Sequence, residues 1–592
     1  MDLSVENVIN KKFEAIFDKL GLDKKFAAVK NSDRPDLSDF QCNGALALAK
    51  SERKNPREIA QMIAAELEQD NDIEKISVDG PGFINLTLKN EFIAHNMDSV
   101  SADKRFGCAS VAAPQNIIID SGGPNVAKLM HIGHLRPAVI GESIRRIEKF
   151  VGNKVISDVH FGDWGTPMGM IISEIENLHP DWPYFDDSKT DGFPVEHPYN
   201  VNEVTELYKK ASARCKEDEA AREKARIITA KFQDGHTGYH ALWKHLRDVS
   251  VDAVKEIYGD LDVNFDLWLG ESDAHETCKE IMKIAKGKGI LEKDEGAEII
   301  RLEESNKPKP PVILEKSDGG FTYAATDIAT IKMRCDDLKA DEIIYVTDLR
   351  QSLHFEQVFE ASKMLGICPD TKLVHIGFGT VNGKDGKPFK TRDGGVMNLA
   401  DLIAISKDTV RKSVPESAPG YSKEDIAKLV DDITIGAVKF QDMKNNIASG
   451  YVFDLEDFAK FDGKTGPYIQ YAIARINSII RKAQDGSIKE SNIVISNTEE
   501  RNLALKIAQL NATIMRAHND KEPSIIADYA YTLAQSFSSF YNASSIVNAE
   551  TPALAGSRLK LARLVRDILK LQLYLLGIAS PEAMLKTQET TA

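Results

Sequence analysis

GGPNVAKLMHIGH, residues 122–134, follows the aliphatic run NIIID and runs into HLRPAVIGESIRRIEKFVG, whose apolar spacing predicts a helix ending at Gly152. Beyond that helix, KVISDVHFGDWG reads as a second strand entering a glycine-bounded loop. Strand, turn, helix, strand is the unit of a parallel sheet with crossover helices. In such sheets ligands gather at the carboxyl ends of the strands, which is where this turn falls. The turn carries two histidines, His131 and His134, and three readings compete for them. Metal ligation needs a third ligand and a second shell, and histidines at i, i+3 at the mouth of a helix are poorly placed for it. Phosphate binding fits better: backbone N–H groups at a helix start favour anions, Gly133 allows close backbone approach, and imidazoles can donate to phosphoryl oxygens. A turn with incidental histidines accounts for most isolated His-x-Gly-His matches.

Working outward, the text between about 170 and 310 is polar, charged and mostly helical, as expected of an insertion. PPVILEK, GGFTYAATD, DEIIYVTD and TKLVHIGFG then read as four short segments resuming the sheet. Upstream, residues 1–112 form a small α+β unit that closes on KISVDGPGFINLTL, two strand-like stretches around a Gly-Pro-Gly turn, with APQN (113–116) as linker. After about residue 460 the strands stop. YIQYAIARINSIIRKAQ, NLALKIAQLNATIMRAH, IIADYAYTLAQSFSSFYN and SRLKLARLVRDILKLQLYLLG each read as one amphipathic helix. In the last, Arg563, Arg566 and Lys570 share a face opposite Leu564, Ile568 and Leu571.

The totals set bounds. A chain of 592 residues is too long for one core and suggests roughly three or four domains. No apolar stretch approaches the roughly 20 residues needed to span a bilayer, and MDLSVENVINKKFEAIF lacks the plan of a secretory signal. Six cysteines without a Cys-x-x-Cys pair argue against a structural zinc and against a disulfide framework, and fit the cytoplasm. The net charge of −15 argues against a nucleic-acid partner only on average. Residues 461–592 hold 15 Lys and Arg against 12 Asp and Glu, so the acidity resides in the remainder.

Two further constellations bear on chemistry. GKDGKPFKTRDGG (383–395) follows a strand and packs four cations and four glycines into one loop. Such a loop suits the β- and γ-phosphates of ATP, although a solvated hairpin tip has the same composition. Asp120, Asn125, Tyr323, Asp327 and Gln351 lie at predicted strand ends, where two carboxylates and a phenol can clamp a planar cation. Capping and turn chemistry explains any one of them singly.

PNVAKLMHIGHLR, GDWGTPMG (162–169), GGFTYAATDIA (319–329), LRQSLH (349–354) and KPFKTRDGG, in this order, resemble the arginyl-tRNA synthetases of bacteria, a class I family. RPDLSDFQCNGALALAK (34–50), TGPYIQYAIARI and FYNASSIV extend the resemblance over essentially the whole chain. It implies an α/β fold: a Rossmann-like parallel-sheet catalytic domain at 113–400 with a helical insertion about 170–310. It also implies an N-terminal α+β tRNA-contacting domain (1–112), a connecting helical segment (401–460) and an all-α anticodon-binding domain (461–592). The implied reaction is ATP-dependent activation of L-arginine and transfer to tRNA(Arg), with Mg2+ arriving on ATP, no structural zinc, no DNA or membrane partner, and a monomeric cytoplasmic enzyme.

The residues carried over are specific. His131, Gly133 and His134 would bind ATP, with Phe389 and Lys390 from the basic loop. Asp120, Tyr323 and Asp327 would face the guanidinium, while Asn125 and Gln351 orient the α-amino and carboxylate end. His160 and Asp163 would lie near the same cleft. Phe40, Gln41, Tyr541, Arg563, Arg566 and Lys570 are the candidates for tRNA contact. Two departures stand out. The family's Lys-Met-Ser-Lys-Ser loop is Phe389-Lys390-Thr391-Arg392 here, and Lys128, three residues before the first histidine, would compensate for the missing lysine alongside Lys390 and Arg392. Gly-Gly-Pro-Asn replaces Ser-Ala or Ser-Pro-Asn, and Pro137 falls in the first helical turn, where proline is tolerated. The rival readings are a small-molecule nucleotidyltransferase, a silent tRNA-binding paralogue and a synthetase for another amino acid.

Overall fold

The computed structural model describes residues 3–32, 34, 36–302, 309–387, 397–454 and 458–585. Internal packing divides the chain into two units: 1–112 with 411–440 and 459–592, and 113–410 with 441–458.

The chain begins with α1 (Val5–Lys19), β1 (Val29–Asn31), β2 (Phe40–Cys42), α2 (Gly44–Glu52), α3 (Pro56–Leu67), β3 (Ile73–Asp79), β4 (Phe83–Leu88) and α4 (Asn90–Ala102). The strands form an antiparallel sheet in the order β1-β2-β4-β3. The predicted Gly-Pro-Gly turn is the β3–β4 connection, with Gly80 and Gly82 at positive φ.

In the second unit, β5 (Asn116–Ser121) is followed by α5 (Leu135–Val151), which ends on Gly152 at φ 105°, and by β6 (Lys154–Asp158). Ile117, Ile118 and Ile119 are all buried, the continuous apolar run of a strand covered on both faces. The insertion comprises α6 (Thr166–Leu178), α7 (Val201–Glu217), α8 (Glu219–Gln233), α9 (Thr237–Asp260) and α10 (Glu271–Gly287). A small antiparallel sheet of β7 (Leu291–Asp294), β8 (Ala297–Ile300) and β9 (Val312–Glu315) follows. Then come α11 (Tyr323–Leu338), β10 (Glu342–Asp348), α12 (Ser352–Leu365) and β11 (Lys372–Phe378). The main sheet is all parallel, in the order β11-β10-β5-β6.

Two of the four predicted sheet segments lie elsewhere. PPVILEK contributes β9, which pairs antiparallel with β8 outside the main sheet. GGFTYAATD opens α11, because Thr322 accepts a hydrogen bond from Ala325 N and starts a helix where alternation suggested a strand. Between α11 and α12 a further departure appears: Cys335 and Cys368 form a disulfide with Cα atoms 6.1 Å apart. Thirty-three residues separate them in sequence, so no local spacing revealed the pair. Cys42, Cys108, Cys215 and Cys278 are buried and lie outside any disulfide.

Buried Arg136, in α5, pairs with Asp442 and donates to the carbonyls of Gly379 (2.7 Å) and Ser449 (2.9 Å). A charge buried this deep needs further hydrogen bonds beside its ion pair, and the two carbonyls supply them to Nη1.

The chain ends in α13 (Leu399–Arg411), α14 (Lys423–Met443), α15 (Gly466–Asp485), α16 (Thr498–Ala508), α17 (Leu510–Asp520), α18 (Pro523–Ala543) and α19 (Pro552–Leu575). The segment NLALKIAQLNATIMRAH spans α16 and α17, broken at Gln509, where a single helix was expected. Within the first unit, Arg501 bonds Asp39 (2.8 Å) and the Leu88 carbonyl (2.9 Å), tying the terminal helices to the N-terminal sheet. Among the described residues no helix is long and apolar enough to cross a membrane.

Candidate active site

A cleft of 590 Å³ opens at the carboxyl ends of β5 and β10, the point where the order of the sheet reverses. Open α/β sheets bind ligands at such a switch point because the flanking connections diverge there and leave a crevice.

β5 leaves the sheet in a tight turn. Gly122 sits at φ +72°, and a β-carbon on Gly123 would fall 2.1 Å from the His160 carbonyl oxygen. The Gly-Gly departure from Ser-Ala therefore matches a backbone packed directly against the loop after β6. Asn125 bridges to Gly162, and Val126 N donates to the Gly162 carbonyl at 3.1 Å. Ala127 N donates to Ser250 Oγ at 3.1 Å, and Tyr258 donates its hydroxyl proton to the Gly122 carbonyl. Both partners belong to α9, so the insertion helps shape the turn.

The two histidines interlock. His131 N donates to His134 Nδ1 (3.0 Å), Gly133 N donates to His131 Nδ1 (3.1 Å), and the rings lie 4.1 Å apart. A ring nitrogen that accepts a hydrogen bond carries no proton, so both imidazoles keep theirs on Nε2. Burial lowers the pKa of His131, with Lys128 adding to the effect. Burial, reinforced by His131 and Lys128, pushes His134 down to about 3. Both rings are therefore neutral donors at physiological pH, held by backbone amides at the entrance of α5. The segment beyond the basic loop is stitched to them: Ile132 N donates to Met397 O and Leu399 N to Met130 O, each at 3.0 Å. Phe389, Lys390, Thr391 and Arg392 lie outside the described residues.

The facing wall is acidic. Asp120, Asn125, His160, Tyr323, Asp327 and Gln351 all line this one cleft together with His131, Gly133 and His134. Tyr323 and Asp327 occupy the first turns of α11, and Gln351 directly precedes α12. His354 Nε2 lies 2.5 Å from Asp327 Oδ2 and fixes that carboxylate. The two ring nitrogens of His160 are buried without a hydrogen-bond partner among the described residues. Buried imidazole nitrogens are rarely left unmatched, so this is a polar site that a bound molecule can satisfy.

Asp120 is not wholly given to the cleft. Its Oδ2 accepts from Arg334 Nη2 at 2.6 Å, and the same nitrogen reaches Asp158 Oδ2 at 2.8 Å. Burial raises the Asp120 pKa, opposed by Arg334 and His160. Asp163 stands behind the cleft: wholly buried, it bonds Arg247 Nε (2.8 Å), Ser272 N (3.0 Å) and Ser272 Oγ (2.8 Å). Its work is to fix the start of α10, whose first residue, Glu271, does line the cleft.

Glu271, Arg334 and His354 escaped the sequence reading. Arg334 lies seven residues after Asp327, two helical turns along the same face of α11. His354 closes LRQSLH, quoted for its glutamine alone. Glu271 follows FDLWLG, an apolar run in a polar insertion, which forms bridges from Leu267 to Asp158 and from Gly270 to Phe161. Burial, with Asp163 and Asp327 nearby, pushes the Glu271 carboxyl up to about 8.

The candidates for tRNA contact fall in the first unit. Phe40 is 1% exposed and packs in the core, because its place on β2 points inward, so it presents no ring to a partner. Gln41, on the other face of β2, bonds Asn85 at 2.8 Å. Tyr541 lies 4.6 Å under the Arg475 guanidinium. Arg563, Arg566 and Lys570 each pair with a carboxylate, respectively Glu490, Asp567 and Glu582.

Comparisons with known proteins follow the same layout. Residues 97–455 match the family described as tRNA synthetases class I (R), catalytic domain. Residues 469–584 match the DALR anticodon binding domain, and residues 4–88 the arginyl tRNA synthetase N terminal domain. The arginine–tRNA ligase of Francisella tularensis subsp. holarctica (strain FTNF002-00 / FTA) is 42% identical, covering 98% of this chain and 100% of its own. That of Alkaliphilus oremlandii (strain OhILAs) is 44% identical over 96% and 98% respectively. The crystal structure of arginyl-tRNA synthetase from Plasmodium falciparum superposes with a TM-score of 0.79 at 26% identity, covering 97% of this chain and 99% of that one. A nucleotide-type turn facing an acid-lined pocket, in a chain matched from end to end by these ligases, places it in one family: the chain belongs to the arginyl-tRNA synthetases, class I aminoacyl-tRNA synthetases that act as arginine–tRNA ligases.

Proposed function

We propose that the residues of this cleft divide the two half-reactions as follows. L-arginine enters with its guanidinium toward Asp327, Glu271 and the free side of Asp120, with the Tyr323 phenol at the rim. Asn125, Gln351 and His160 orient the α-amino and carboxylate end. ATP arrives as its Mg2+ complex and lies along the His131–Gly133–His134 turn. The arginine carboxylate oxygen attacks the α-phosphorus, the bond to the bridging oxygen breaks, and pyrophosphate leaves. Charge that builds on the α-phosphate meets the Nε2–H donors of His131 and His134, while Lys128, Lys390 and Arg392 neutralise the departing pyrophosphate. A ribose hydroxyl of the terminal adenosine of tRNA(Arg) then attacks the mixed anhydride, giving arginyl-tRNA and AMP. The protein supplies positioning and charge, with no covalent protein intermediate.

The same reading assigns Gln41 of the N-terminal domain and Tyr541, Arg563, Arg566 and Lys570 of the C-terminal helices to the tRNA. It takes tRNA to be required for adenylate formation and the enzyme to work as a cytoplasmic monomer. The observation that carries the reading is the convergence of neutral, backbone-oriented imidazoles and a cluster of carboxylates on one 590 Å³ cleft. Charging assays with arginine, lysine and citrulline, with and without tRNA, test it. Arginine alone is expected to be charged, and pyrophosphate exchange is expected only with tRNA present. Charging of citrulline, which keeps the shape and loses the positive charge, would overturn the guanidinium assignment.

A further inference from the structure

We propose that Tyr208, on insertion helix α7, is the positioning residue for Lys128 and holds its ammonium at the rim of the cleft. Lys128 Nζ lies 4.8 Å from the centroid of the Tyr208 ring, over its face. An ammonium at that distance is attracted to the negative face of the ring. Among the described residues no carboxylate forms an ion pair with Lys128, and the chemistry of the site explains why a ring serves better. A carboxylate would cancel the charge that a polyphosphate needs and would itself repel that ligand. An aromatic face restrains the cation and leaves its charge intact.

The backbone beneath Lys128 is held by the same insertion. Ala127 sits at φ +66°, a left-handed conformation that residues with a β-carbon seldom adopt, and such strain persists only where surrounding contacts enforce it. Those contacts are Ser250 Oγ on Ala127 N and Tyr258 on the Gly122 carbonyl. Tyr208 is half-buried on α7, and its neighbours Val204, Leu207 and Ala211 are buried. The ring is thus carried by a helix anchored in the unit. It also reaches toward the amino-acid side of the cleft: burial raises the Tyr323 phenol, with Glu271 and Tyr208 adding to the effect.

The proposal rests on the phosphate role assigned to Lys128 above, and the test separates the two. Tyr208→Phe, Tyr208→Leu, Lys128→Met and the Tyr208→Leu/Lys128→Met double variant are assayed by pyrophosphate exchange with tRNA present. Tyr208→Leu is expected to lose about fivefold in kcat/KM for ATP with the arginine KM unchanged, the scale of one partly exposed cation–ring contact. Tyr208→Phe is expected to match wild type, since the ring face remains, and Tyr208→Leu is expected to add no loss to Lys128→Met. A second readout needs no substrate: acylation of Lys128 by an amine-reactive ester, followed by mass spectrometry on the full chain. It is expected to run several-fold faster in Tyr208→Leu and at the wild-type rate in Tyr208→Phe. The proposal is overturned if Phe fails as Leu does, if the two losses multiply, or if labelling is unchanged in Tyr208→Leu. Full activity of Lys128→Met would overturn the phosphate role and the catalytic half of the proposal, and the labelling would still decide whether the ring holds the lysine.

Discussion

On the His131–His134 side of the cleft, the partners that orient the imidazoles are backbone amides within three residues. On the Asp327 side they are side chains delivered by α10, α11, α12 and the ends of β5 and β6. In the first wall the rings are set locally, by amides of their own turn, while α9 holds the backbone that leads into it. The second depends on tertiary structure, because Asp120 is set by Arg334 and Asp327 by His354, and neither pair is close in sequence. On the proposed reading the local wall meets the part of the reaction common to nucleotide-activating enzymes, and the assembled wall meets the amino acid that distinguishes one synthetase from another.

Variants that strike the assembled wall should therefore cost more, and in more ways, than those that strike the turn. Arg334→Met leaves Asp120 and Asp158 buried without their shared cation and should destabilise the fold by about 3–5 kcal/mol, the usual cost of breaking a buried ion pair from one side. Thermal or urea unfolding measures it, and an unchanged midpoint would show that the two carboxylates find other partners. Asp327→Asn should weaken arginine binding by about 2–5 kcal/mol while leaving the KM for ATP within a few-fold. Equal losses for both substrates would dissolve the division between the walls. His134→Ala removes a single oriented donor and should lower kcat by about 100-fold with the arginine KM preserved, as read in pyrophosphate exchange.

The smallest effect concerns pH. The Glu271 carboxyl sits at about 8 instead of near 4.5, so between these values the folded chain holds a proton that the unfolded chain has released. Stability contributed by this group therefore falls as pH rises through that window. An incoming guanidinium favours the ionised carboxylate, so arginine binding should release a proton and strengthen by at most about tenfold per pH unit up to pH 8. Calorimetry in buffers of different ionisation enthalpy should detect the proton, and Glu271→Gln should abolish it. Persistence of proton release in that variant would assign it to another group.

The same contrast governs what could be read from the sequence. The turn at 122–134, the strands at 116–121 and 342–348 and the crossover helix were legible because period and punctuation are local signals. GGFTYAATD misled because a capped helix and a short strand share the same few apolar letters, and Thr322 decides between them only through its hydrogen bond to Ala325. Asp120 and Asp327 stood out at expected strand ends and again through family resemblance, although Asp327 lies on a helix. The groups that hold them did not, since a sequence shows Arg334, His354 and Glu271 only as ordinary helix residues. Phe40 was misplaced for a related reason: the face of β2 it occupies is set by pairing with β4, invisible until the sheet is built.

Arg334 also changes what rejection of a wrong amino acid means. With one guanidinium already lodged between Asp120 and Asp158, burial and the nearby Asp163 and Asp327 carboxylates keep the Glu271 carboxyl protonated. On the proposed placement of the substrate, a neutral side chain of the right shape leaves that proton in place, and a steric fit alone does not draw it off. Selectivity would then come as much from an ionisation that only a cation can draw out as from any contact the correct substrate makes.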